Sequence, residues 1–167
     1  MMQADTRNPG AAPRVNPALR RKALATRDNP RTDRDYIVSL RHVLTPPPET
    51  DAQAEIICQI RYVPDRLICD TSQIEGYFKL LAWTAWDRIE ECANMIADDF
   101  CDEVIPRWLS VNIILTPDGG AIGPQASVHV EDRQPHWDNP SLLQRPQQYS
   151  GNSSPPGATR GQIRPLR

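Results

Sequence analysis

Pro64 is the residue that most constrains what this chain can fold into. It ends a run of β-branched and aromatic residues, Ala54 to Val63, and leads through Asp65 into a helical stretch from Asp70 to Asp102. Proline has no N–H to give a strand ladder, so pairing must stop there. A similar run from Asp35 to Leu44 stops at Thr45-Pro46-Pro47-Pro48. Three successive prolines cannot pair, so Thr45 to Asp51 must be a loop. The two runs read as an antiparallel hairpin with a long connection.

Helical signals follow. Ser72-Gln73-Ile74-Glu75 matches a capping box, in which the Ser oxygen and the Glu carboxylate would satisfy free N–H groups of the first turn. Ile74, Tyr77, Phe78 and Leu81 then share one face, and Gly76 weakens the helix somewhat. A second start reads at Thr84-Ala85-Trp86-Asp87. From it Trp86, Ile89, Ala93, Ile96, Ala97, Phe100 and Val104 make an apolar stripe, with Glu90, Glu91, Asp98, Asp99, Asp102 and Glu103 largely off it. Pro106 stops the run. Trp108 to Leu115 alternates as a half-buried strand, Thr116-Pro117-Asp118-Gly119-Gly120 is a turn, and Ala126 to Val130 belongs to the return strand. The order is ββααββ. It predicts an α+β fold, an antiparallel four-stranded sheet with two helices on one face. So small a sheet leaves edges to cover, which predicts a homo-oligomer.

Charge divides the chain differently from the apolar pattern. Residues 1–30 hold six basic residues against two acidic, and residues 133–167 hold five against one. Residues 31–132 then carry eight basic residues against eighteen acidic, although the whole chain is only −2. An acidic body between basic tails could bring nucleic acid or an acidic partner to those tails, or let them wrap their own core. Ten of the 17 prolines also lie in the tails. The expectation is therefore a single domain at 31–132, flanked by basic segments 1–30 and 133–167 that are mostly extended or disordered.

The N-terminus carries no apolar leader, and no apolar run reaches the roughly 18 residues that span a bilayer, so no membrane is expected and the default compartment is cytoplasmic. Cys58, Cys69, Cys92 and Cys101 would be reduced there, and their spacing holds no CxxC pair to support a metal site. His42, His129 and His136 stand alone, without a nucleophile motif beside them. Neither a GxGxxG run nor a P-loop is present.

The order of elements, with Tyr62-Val63-Pro64-Asp65 closing the second strand, resembles the tunnelling fold (T-fold). Within it the chain is similar to the single-module QueF family, NADPH-dependent 7-cyano-7-deazaguanine reductases of queuosine biosynthesis. The similarity covers roughly residues 33–130 and includes Asp35-Tyr36, Glu90-Glu91-Cys92 and Pro117-Asp118-Gly119-Gly120. By that resemblance Glu90 anchors a purine-like small molecule. Its two carboxylate oxygens suit the neighbouring N–H donors of a guanine-like edge. The family's catalytic cysteine should lie in the loop between the first two strands, where its thiolate adds to the nitrile. Residues 45–51 contain no cysteine, and Cys58 lies inside the next strand. Asp51 lies near the family's proton-handling aspartate, and is the one catalytic candidate. The family's NADPH-binding lysines match Ser72 and Glu75, its histidine before the anchor matches Ile89, and its arginine before Gly-Gly matches Asp118. Positive charge is thus lost where a polyanion should sit, so the residues do not support NADPH as cofactor.

Three functions stay open on these residues: a ring-binding module without reductase activity; an active NADPH-dependent 7-cyano-7-deazaguanine reductase or a divergent enzyme using carboxylates such as Glu90 and Asp51, with or without a partner subunit supplying a cysteine; and a structural protein that has lost the pocket and works through its basic tails.

Overall fold

The computed structural model describes residues 15–44, 54–82, 84, 88–117 and 125–144. Ten elements follow in order: α1 (Pro17–Ala23), β1 (Thr26–Asp28), β2 (Val38–Leu44), β3 (Ala54–Val63), β4 (Leu67–Cys69), α2 (Ile74–Ala82), α3 (Ile89–Glu103), β5 (Trp108–Pro117), β6 (Ala126–Arg133) and α4 (Pro140–Leu143). The four long strands form one antiparallel sheet in the order β2-β3-β5-β6. Helices α2 and α3 pack on it, against β2 and against β5 and β6 respectively. The α+β architecture with a ββααββ core is as expected, and it is the arrangement of a T-fold-like module.

Register explains the core. Tyr62 pairs with Val38 and Leu109, Ile60 with Leu40 and Val111, and Cys58 with His42 and Ile113. Alternate residues point to one face, so these rows stack beneath the helices and meet Tyr77, Phe78, Leu81, Ile96 and Phe100. The other face carries Ser39, Arg41, Gln59, Arg61, Ser110, Asn112 and Trp108. Pro64 ends β3 as its missing donor requires, and the Tyr62 hydroxyl then accepts the Cys69 N–H at 2.9 Å across the turn.

Several expectations are corrected. Ser72 does not cap a helix: its N–H and hydroxyl both donate to Asp70 Oδ1, at 3.0 and 2.7 Å, and Glu75 pairs forward with Lys79 at 2.8 Å. An ionised carboxylate outcompetes a hydroxyl as acceptor, so Asp70 organises this turn. Thr84 closes α2 rather than opening the next helix, its hydroxyl donating to the Leu80 carbonyl at 2.8 Å. Of the rest of that second start, Trp86 and Asp87 lie outside the described residues. Asp99, assigned to the polar side of α3, is fully buried. The helix ends with Ile105 in the left-handed region (φ 50°), where its N–H donates back to the Phe100 carbonyl at 3.1 Å, and Pro106 prevents its continuation.

Part of the flanks is built into the fold. Residues 17–28 hold the helix α1 and the short strand β1. Leu24 is core, and β1 pairs antiparallel with β4, Arg27 opposite Ile68. On the other side Trp137 and Asn139 are tied to Asp35, and α4 follows under an Asn139 cap. Composition does not reveal these ties because they rest on a single core leucine, a three-residue ladder and a few polar side chains rather than on a repeated apolar pattern. Among the described residues no helix is long and apolar enough to cross a membrane.

Candidate functional site

Glu90 is the second residue of α3 and is exposed to solvent. Its carbonyl accepts from the Asn94 amide at 2.8 Å. Arg88, in extended conformation, is the N-cap and makes no side-chain cap bond. First-turn N–H groups of a helix favour negative charge, and both Glu90 and Glu91 lie in that turn. Glu90 is therefore an exposed acidic residue at a helix start. Asp51 lies outside the described residues, as does Asp118.

Depressions lie at two places along α3 among the described residues. One, of about 430 Å³, runs between α1 and α3, with Glu91, Asn94, Met95 and Asp98 on one wall and Arg20 on the other. A smaller one, of about 210 Å³, lies beside Cys101, Ile105, Asp132 and Pro135. Glu90 lines neither. Ile89, at the family's histidine position, packs against the core.

The positions matched to the cofactor lysines are occupied in an unexpected way. Arg27 of β1 bonds Asp70 at 2.7 Å and reaches the Ser72 hydroxyl at 3.3 Å, while Lys79 holds Glu75. Cations are therefore brought to this stretch from β1 and from one turn along α2. Each is matched by a carboxylate, so the net charge there stays near zero. Hydrogen bonds from Ser72 and then Arg27 hold the Asp70 carboxyl below its usual range. The sequence alone could not reveal Arg27, which lies 43 residues away from its partner.

None of the four thiols is set up to attack. Burial pushes the Cys58 thiol far up, Cys69 up to about 11 and Cys92 up to about 12. Cys101 is half-exposed, yet burial and its bond to Asp132 (Sγ–H to Oδ2, 3.3 Å) push it up to about 12. A nucleophilic thiol needs the opposite, a cationic neighbour or helix N-terminus that stabilises thiolate. Among the described residues no group of three or more His, Cys, Asp or Glu is placed to hold a metal ion.

Asp35-Tyr36 and Asp65 are held in one network at Arg107. Asp65 accepts from Arg107 Nε and Nη2 at 3.2 and 3.1 Å, and Asp35 accepts from Arg107 Nη1 at 2.7 Å. Tyr36 donates to Asn29 at 2.6 Å, and Asn29 donates in turn to the Asp65 carbonyl at 2.7 Å. These bonds form a clamp that joins three chain segments at one end of the sheet.

No family model matches the chain. It is 28% identical over 135 residues to an NADPH-dependent 7-cyano-7-deazaguanine reductase of Nitrosococcus oceani, an alignment covering 78% of this chain and 99% of that relative. This likeness agrees with the resemblance carried by Tyr62 to Asp65 and by the ββααββ order.

Proposed function

We propose that this protein is a QueF-like module related to 7-deazaguanine metabolism. It binds a guanine-like or deazaguanine ring through Glu90 and performs no nitrile reduction of its own. The observation that carries the second half is the state of its thiols: residues 45–51 lack cysteine, and all four cysteines of the chain have their thiols pushed up by burial. Formation of a thioimide has no nucleophile under those conditions. The first half is supported by likeness to a reductase of this ring along nearly its whole length, and by a carboxylate presented at a helix start. Because Glu90 faces solvent in the single chain, the ring's other face would be covered by a second copy, which makes the binding form a homo-oligomer. The cations beside Asp70 and Glu75 are each paired with a carboxylate, which gives no support to NADPH binding at that stretch.

Calorimetric titration with 7-cyano-7-deazaguanine, guanine and a pterin tests the reading, with Glu90→Ala alongside. Saturable heat with one of the rings, lost in Glu90→Ala, is the expected result; no heat with any of them overturns it. Oxidation of NADPH on adding the nitrile would instead establish an active reductase, and refute the loss of catalysis.

A further inference from the structure

On the sheet face turned away from α2 and α3, two donors lie buried without partners. The Trp108 side chain is 4% exposed, and its indole Nε1–H has no hydrogen-bond partner. Arg61 Nε is likewise buried and unpartnered. The Arg61 guanidinium carbon sits 5.5 Å from the Trp108 ring centroid. Among the described residues no carboxylate pairs with Arg61. Its cross-strand neighbours are the small hydroxyl residues Ser39 and Ser110. The row continues to Glu131, opposite Ser110, whose carboxylate is drawn to Arg133 at 3.4 Å. In the next row Asn112 donates to Gln59 Oε1 at 3.3 Å, which leaves the Gln59 amide N–H groups as further donors.

Each buried donor left unpaired is costly, and native structures rarely tolerate two side by side without a ligand, ion or water. A guanidinium stacked over an aromatic ring keeps its in-plane N–H fork free, and that fork matches an oxyanion in two-point fashion. We propose that Arg61, Trp108 and Ser110 form a binding site for the oxyanion of a small molecule, a phosphate or a carboxylate group. This site is on the opposite face of the sheet from the helices and does not use Glu90. It is independent of the ring-binding reading.

Titrating the ¹⁵N-labelled full chain with inorganic phosphate, and separately with acetate, tests it at constant ionic strength held by chloride. The Trp108 indole N–H resonance, identified by its loss in Trp108→Phe, is expected to shift saturably with one of the two anions; the tighter one names the group. Arg61→Gln is expected to weaken that binding at least tenfold, and Ser110→Ala, which leaves the stack intact, severalfold. Absence of a saturable shift with either anion overturns the proposal. So does an equal shift with chloride alone, or unchanged affinity in both variants.

Discussion

Arg20 and Asp99, 79 residues apart in the chain, meet as a two-pronged ion pair in the interior. Arg20 is 4% exposed and Asp99 not at all. Arg20 Nη2 donates to Asp99 Oδ1 at 2.9 Å and Nε to Oδ2, while the Tyr77 hydroxyl donates to Oδ2 at 2.9 Å. The pair fastens α1 to α3, and Arg21 adds a half-exposed bond to Asp102 at 2.7 Å. This is where part of the N-terminal positive charge goes: it wraps the protein's own acidic body.

Removing one partner of such a pair leaves the other charge buried and unmatched, which costs about 3–5 kcal/mol. Arg20→Met is expected to lose that much in urea unfolding. The double variant Arg20→Met, Asp99→Leu should recover a large share, because an apolar pair carries no stranded charge. Equal losses in the single and double variants would contradict the account.

How far the sequence could be read depends on the type of signal. β3 is recovered end to end because Pro64 and its β-branched run agree, and the α3 stripe from Ile89 to Val104 because its apolar spacing is regular. Asp99 was misplaced because a lone acidic residue on a helix is far more often solvated than buried. Its partner Arg20 can be recognised only once the chain has folded. The same holds for the site: Glu90 is legible only through the resemblance, whereas Arg27 beside Asp70 and Ser72 is a long-range neighbour that no local pattern encodes.

His42 stacks on Phe78 with ring centroids 4.4 Å apart and planes 6° from parallel. Burial lowers its pKa from 6.5, against a smaller opposing pull from Glu75. The folded state thus favours the neutral ring. The unfolded chain binds the extra proton first, so this stability is present above about pH 6.5 and is lost as pH falls through the folded value. Urea midpoints compared at pH 5.5 and 7.5 should show lower stability at the acid end. His42→Gln should flatten that difference; an unchanged slope would assign it to another group.

Cys101 is the one cysteine that is not fully buried, and Asp132 accepts its S–H. Burial is the larger influence on its thiol and Asp132 the next, both acting against the thiolate. Iodoacetamide should therefore alkylate the native protein slowly at pH 8. Asp132→Asn should speed modification of Cys101 severalfold, read by mass spectrometry of the labelled peptide, because one negative neighbour is gone. Equal rates in both proteins would mean that access rather than charge controls this thiol.

Asp35 holds the last described segment in place. It accepts from Arg107 Nη1 at 2.7 Å, Asn139 Nδ2 at 3.0 Å and Trp137 Nε1 at 3.2 Å, joining the start of β2 to residues on both sides of β5 and β6. Burial, the largest single influence, pushes its carboxyl up, but the donors Asn139, Arg107 and Trp137 together outweigh it and hold the group below 3.8. A carboxyl depressed on folding adds stability above its unfolded value, lost as pH falls through the folded one. The segment 134–144 should accordingly loosen below about pH 4. Asp35→Ala should loosen it at neutral pH and cost about 2 kcal/mol, given hydrogen bonds to a charged acceptor worth about 1.5–3 kcal/mol. Limited proteolysis reads this directly: cleavage within 134–144 should precede loss of the sheet in the variant. If cleavage there is no earlier in the variant than in the parent chain, Asp35 is not the tie that holds the segment.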